Sequence, residues 1–258
     1  MERKIDYIDA MPVGNTQARI RTGQPERSTE IQYPIRYSRT RIHQPSAALL
    51  ERNRILHEGS TGDVVYAYKM LRTQVLKKLQ DNGWNSVGLI GARAQQGATL
   101  TAINLATAIA MDPRHTALLV DLNLRNPAVH RYFGYEPAQG VEDVLLAGAS
   151  VESALFNPGV EGLLVLPARA PCLNSSELLS GPEMHRLIVD LKQRYASRII
   201  VFDLPPVLEA EDSISFAEYY DAGLLVIADG VTSRADVERT ANLVGRKPML
   251  GSVFNNAF

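Results

Sequence analysis

The chain is poor in cysteine: Cys172 is the only one in 258 residues. An intrachain disulfide framework and a cysteine metal cluster are therefore both excluded. Cys172 lies between Pro171 and Leu173 with no histidine near it in sequence, so a thiol nucleophile has no local base. Long apolar runs are also missing. Stretches such as AGLLVIA (222–228) fall far short of the roughly 20 residues that a bilayer-spanning helix needs. The first twenty residues, MERKIDYIDAMPVGNTQARI, contain no apolar run of signal-peptide length. Charge of either sign is not in excess: 27 Lys and Arg stand against 28 Asp and Glu, a net charge of -1. Bulk electrostatics thus give no case for nucleic acid or a membrane surface. The expectation is a soluble cytoplasmic protein. Hydrophobic residues make up 45% and charged residues 21% of the chain, enough to bury the core of one large α/β domain.

Residues 1–60 read differently from the rest. They are rich in Arg, Gln, Ser, Thr and Pro and show no sustained period. Between residues 19 and 41, Arg19, Arg21, Arg27, Arg36, Arg39 and Arg41 face only Glu26 and Glu30. So few large apolar groups do not offset ordering entropy, and the expectation is a mostly disordered, mildly basic arm. Two roles stay open for it: a solvated tail, or a docking segment for a partner or an acidic membrane surface. Tyr7, Tyr33 and Tyr37 in the arm are either phosphoacceptors for a partner or tyrosines without a role.

From residue 61 to 258 the pattern is that of one domain. DVVYAYKMLRTQVLKKLQ (63–80) has helical spacing, with Val64, Ala67, Tyr68, Leu71, Val75 and Leu79 on one stripe. Asp63 serves as cap or first-turn acid, and Asp81-Asn82-Gly83 as the stop. Apolar runs follow at 86–91, 116–121, 162–168, 198–203, 223–229 and 249–255, most of them separated by helical patterns such as 99–111, 182–195 and 233–245. Continuous apolar strands alternating with helices predict an α/β fold, a mainly parallel, doubly wound sheet flanked by helices. Ligands of such sheets bind at the carboxyl ends of the strands. There is no internal repeat.

Three strand ends carry polar groups. GARAQQGATLTAINLA (91–106) has the context of a phosphate-binding loop: an apolar strand before it and a small-residue helix after it. Residues 92–99 read A-x-x-x-x-G-A-T where the full pattern is G-x-x-x-x-G-K-[ST]. Gly97 lets the backbone approach a phosphate, the amides from Ala98 onward face outward at a positive helix end, and Thr99 offers a hydroxyl to Mg²⁺. On its own the stretch equally fits a strand-to-helix turn that binds nothing. Asp121 ends a second strand, with Asn123 and Arg125 after it. It is either a metal-site acid or a turn acid. Asp203 ends a third, before Pro205 and Pro206, with the same two readings. His130 and His185 lie in helical stretches, where surface positions are the usual outcome.

The order and spacing of these motifs resemble the bacterial tyrosine kinases of capsule and exopolysaccharide synthesis, which share the P-loop fold of the MinD/ParA ATPases. The phosphate loop, the Asp-x-Asp strand and the Asp-x-Pro-Pro strand of that family align with 92–99, 121–123 and 203–206. GVEDVLLAGASVESAL (140–155), LPARAPCLNSSELLSGPEMHRLI (166–188), YAYKMLRTQV (66–75) and MLGSVFN (249–255) resemble further family stretches, so the likeness runs from about residue 63 to the end. It implies ATP or ADP with Mg²⁺ as ligands, Thr99, Asp121 and Asp203 around the metal, and an adenine contact from Asn255. It also implies homo-oligomerisation through helix 63–80 by way of Tyr66, Lys69 and Arg72. The implied partner is the cytoplasmic part of a transmembrane polysaccharide copolymerase, which would recruit the chain to the inner face of the inner membrane.

The departures from the family fall on chemistry. Ala98 stands where the loop lysine belongs and Leu100 where a second hydroxyl belongs. Asn123 replaces the second aspartate, Tyr66 a glutamate and Lys69 an arginine of the contact helix, while Arg72 is retained. The tyrosine-rich tail of the family has no counterpart before Phe258. Removing one preorganised charge at a transition state costs about 10²–10³-fold in rate. The expectation is an impaired kinase, in which Asp121 and Asp203 are weak or vestigial catalytic groups, with nucleotide binding less affected than transfer. Arg93, at the offset of the signature lysine in MinD-like relatives, is either a substitute cation or a solvated loop arginine. A working autokinase that uses such a substitute is the alternative reading.

Overall fold

The computed structural model of the protein describes residues 40–194, 198–245 and 247–255. The expectations for residues 1–39, including the three arm tyrosines, lie outside the described residues.

In chain order the elements are β1 (Arg41–Ile42), α1 (Ala47–Arg52), α2 (Asp63–Asn82), β2 (Ser86–Gly91), α3 (Ala98–Ala110), β3 (Thr116–Asp121), α4 (Val129–Tyr132), α5 (Val141–Ala147), α6 (Val151–Ala154), β4 (Phe156–Asn157) and β5 (Leu163–Leu166). They continue with α7 (Ser175–Ser180), α8 (Pro182–Arg194), β6 (Arg198–Asp203), α9 (Asp212–Ser215), β7 (Ala222–Ala228), α10 (Arg234–Val244) and β8 (Met249–Asn255). The strands form one eight-stranded sheet in the order β1-β4-β5-β3-β6-β2-β7-β8. All pairings are parallel except β4 with β5. Strands β2, β3, β6 and β7 are almost wholly buried, as their unbroken apolar runs require of a sheet covered on both faces.

The register places the polar strand ends side by side. Asp121 at the end of β3 pairs with Asp203 at the end of β6, which also lies beside Leu89 of β2. The loop after Gly91 therefore opens between the acid pair and the end of β7. On the far side of β7, Ala228 is in register with Asn255 at the end of β8.

Helix α3 is buried from Thr101 to Ala110 because the sheet covers one face and α2 the other. Its composition, ATLTAINLATAIA, suits that position: small residues let both neighbours come close. In α2 the buried side is Val75 and Leu79, with Tyr68, Leu71 and Arg72 partly buried beside them. Val64 and Ala67, placed on the same stripe by spacing, are exposed. Gly62 is the N-cap, Asp63 the first-turn acid, and Gly83 the left-handed stop at φ 68°. Of the three contact-helix residues, Tyr66 and Lys69 are exposed. Arg72 is committed within the chain: it donates to the Ala108 carbonyl at 3.1 Å and lies 3.8 Å from Asp112.

One boundary needs correction. Composition assigns residues up to 60 to a disordered arm, but residues 40–60 are built into the domain. Strand β1 extends the sheet next to β4, and Ser46 caps α1 by accepting from the Leu49 amide. Leu50, Ile55 and Leu56 are buried. His43 bonds the Phe133 carbonyl at 2.8 Å, and Asn53 donates to the Tyr132 carbonyl at 2.6 Å. Asn104 of α3 accepts from the Leu56 amide and donates to the Arg54 carbonyl, both at 2.9 Å. Four apolar side chains (Leu49, Leu50, Ile55, Leu56) and these side-chain anchors offset the entropy that average composition says is not offset.

Candidate functional site

The phosphate loop is formed as its sequence context requires. Gly97 is the N-cap of α3 with φ 87°, a left-handed conformation that glycine adopts without strain. Gln95, at φ 61°, shares that unusual backbone. The Gln96 side chain is buried and accepts from the Arg93 amide at 2.9 Å, which braces the loop from inside. Among the described residues, no acceptor meets the amides of residues 97–100. These amides sit at the positive end of a thirteen-residue helix, so the loop keeps the main-chain half of an anion site. Ala98 leaves out the charged half.

Asp121 and Asp203 behave differently. Both are fully buried. Asp121 is spent on the chain: it accepts from the amides of Asn123, Ala128 and Val129, each at 3.1 Å, and so fixes the turn into α4. Its turn-acid role is thus present, and burial still pushes its pKa up to about 7 against the pull of those amides. Asp203 has no such support. Neither of its oxygens has a partner of hydrogen-bond geometry. Burial, and then the charge of Asp121, raise its pKa well above the carboxylate range, while the nearby Thr99 hydroxyl lowers it slightly. An orphaned buried carboxylate beside a hydroxyl and free amides fits a divalent cation carrying phosphate. Among the described residues no three His, Cys, Asp or Glu side chains gather as a metal cluster. A Mg²⁺ ion would therefore take most ligands from phosphate and water, as it commonly does.

Two arginines beside the loop, Arg93 and Arg125, are occupied. Arg93 grips Asp236, at the start of α10, through Nε at 3.1 Å and an Nη at 2.9 Å. Its substitute-cation role would require breaking that bidentate pair. Arg125 donates to the buried Asp212 at 2.9 Å and ties the β3–α4 loop to α9. Glu209 accepts from the Ala94 amide at 3.0 Å, so a carboxylate also sits against the loop. It is carried there by residues 207–208, whose amides bond the carbonyls of Gly91 and Ala92 at 3.0 Å each. Asn255 donates to the Gln96 carbonyl at 3.2 Å, and a Cβ on Gly97 would overlap its side chain. The family resemblance points to Asn255, but Gln96, Glu209, Asp212 and Asp236 carry no motif signal and emerge only from the packing.

Loop, acid pair and Asn255 thus converge at the carboxyl edge of one parallel sheet, the arrangement of a P-loop nucleotide-binding fold whose loop lysine is replaced. No protein-family model matches the chain. It is 30% identical over 190 residues to the tyrosine-protein kinase YwqD of Bacillus subtilis, covering 73% of this chain and 79% of that one. It is 27% identical over 169 residues to the succinoglycan biosynthesis transport protein ExoP of Rhizobium meliloti, covering 64% of this chain but only 21% of ExoP. Among solved structures, the VpsO kinase domain superposes with a TM-score of 0.67 at 29% identity, covering 74% of this chain and 95% of that one. The chain belongs to the bacterial tyrosine-kinase family.

Proposed function

We propose that the chain is a catalytically impaired member of this family that binds nucleotide at residues 97–100 and acts as a regulatory or assembly partner in exopolysaccharide synthesis. The observation that carries the reading is the contrast within one site. The free amides of 97–100, the Thr99 hydroxyl and the unpartnered Asp203 carboxylate form a cradle for Mg²⁺ and phosphate. The position that would place a cation on the transferring phosphoryl group is Ala98. Bound Mg²⁺ would supply charge neutralisation at the phosphates. Thr99 and Asp203 would hold it directly or through its water, and Asp121 would keep the β3–α4 turn in place beside them. Without a loop cation, phosphoryl transfer loses a stabilising interaction worth about 3–4 kcal/mol.

The likeness to ExoP supports a polysaccharide setting, and the partner this reading names is the cytoplasmic part of a membrane polysaccharide copolymerase. Among the described residues no helix is long and apolar enough to cross a membrane. Membrane recruitment would then run through that partner. A self-contact through α2 would rest on exposed Tyr66 and Lys69 and not on Arg72.

The test is calorimetric titration of the full chain with ATP·Mg²⁺ and ADP, followed by turnover and phosphotyrosine assays. Binding with negligible turnover is the expected result. Turnover at the rate of an intact family member would overturn the reading. The rival, a working kinase with Arg93 as the substitute cation, faces the Arg93–Asp236 pair and requires Arg93→Ala to abolish turnover.

A further inference from the structure

A cavity of about 640 Å³ adjoins the phosphate loop. Leu100 and Asn104 of α3, Tyr68 of α2 and Asn255 line it together with Glu51 and most of the segment 54–61. Its size is that of a small-molecule site. Arg54 lines it in a left-handed backbone at φ 57°, a conformation arginine seldom adopts. Asn104 holds that backbone by bonding both the Arg54 carbonyl and the Leu56 amide. Strain maintained by the neighbouring structure is a common mark of a functional position. The three other arginines near the loop and α3 are paired with acids: Arg93 with Asp236, Arg125 with Asp212 and Arg72 with Asp112. Among the described residues, Arg54 has no carboxylate partner. Arg54 shares one cavity with Leu100, the residue that follows the Thr99 hydroxyl at the start of α3.

We propose that this cavity takes the body of a nucleoside polyphosphate and that Arg54 supplies, from the segment preceding α2, the phosphate-binding cation that Ala98 omits. The proposal rests on the nucleotide-binding reading above. A guanidinium suits the task because its fork can bond two phosphate oxygens at once. It would reach them from outside the loop, in a place the motif gives no reason to inspect.

The test compares ATP·Mg²⁺ binding by the full-length wild type and by Arg54→Gly, Arg54→Lys and Arg93→Ala. Glycine relieves the left-handed backbone while removing the cation, so an unchanged thermal midpoint without ligand shows that the fold persists. Arg54→Gly is expected to weaken binding about 10- to 100-fold. Arg54→Lys should recover part of that loss, and Arg93→Ala should bind like the wild type. Wild-type affinity in Arg54→Gly overturns the role of Arg54 alone. An equal loss in Arg54→Lys and Arg54→Gly overturns the charge argument. A wild type that binds no nucleotide overturns both this proposal and the reading beneath it.

Discussion

Replacing Asp203 by asparagine should stabilise the protein near neutral pH while removing its affinity for nucleotide with Mg²⁺. In the fold the carboxylate is fully buried, has no hydrogen-bond donor and faces a second carboxylate across the β3–β6 pairing. Its pKa is raised above the unfolded value, first by burial and then by Asp121. The sign follows directly. Below the pKa of the unfolded chain both states are protonated and the group costs nothing. As pH rises past about 4 the unfolded chain ionises freely and the folded one does not, so the wild type loses stability relative to the variant. Each unit by which the folded carboxyl's pKa exceeds the unfolded value costs the wild type about 1.4 kcal/mol once the pH lies above both. Asp203→Asn should therefore gain about that much per unit at pH 8. For a domain of this size the midpoint would rise by roughly 2–10 °C, with the gain shrinking towards zero near pH 4. Thermal and denaturant unfolding of both proteins from pH 4.5 to 8.5 in metal-free buffer is the assay. Adding ATP·Mg²⁺ should then close the gap by stabilising only the wild type. No gain at pH 8, or a gain that does not change with pH, would refute the account of Asp203 as an ion site kept at the expense of stability.

Two further outcomes follow from the packing. Gly97→Ala should destabilise the protein by about 1–3 kcal/mol, because it puts a side chain in a left-handed position and against Asn255. Denaturant melts of Gly97→Ala with and without Asn255→Ala should show partial relief in the double variant. Asn104→Ala leaves the Leu56 amide and the Arg54 carbonyl without their partner and should cost about 1–3 kcal/mol. Hydrogen exchange should rise selectively over residues 54–61, whereas uniform loss of protection would contradict the anchoring role.

Much of the architecture is legible in the residue pattern. The apolar runs at 86–91, 116–121 and 198–203 coincide with β2, β3 and β6, because strands buried on both faces have no room for polar residues, and the run at 249–255 coincides with the half-exposed edge strand β8. Glycine stops such as Gly83 read equally well. The acid pair is visible for the same reason: Asp121 and Asp203 each end an apolar strand, and neighbouring parallel strands bring their ends together. Other features leave no trace in a local window. Whether Asp121 binds an ion or a turn depends on where the amides of Ala128 and Val129 fall. The fate of Arg93 is decided by Asp236, which lies 143 residues away in sequence. Residues 40–60 escape because averaging over a polar segment hides two short apolar pairs, Leu49-Leu50 and Ile55-Leu56. The cap at Ser46 was the available signal.

The anchoring of residues 40–60 makes a domain cut at the start of the recognisable motifs a damaging one. A chain beginning at residue 61 would retain every family signature yet open the wall of the 640 Å³ cavity, bare the outer edge of β4 and strip Phe133, Tyr132 and Asn104 of their bonding partners. Any protease, splice or fusion that severs this leader would spare the motifs and disable the molecule they advertise.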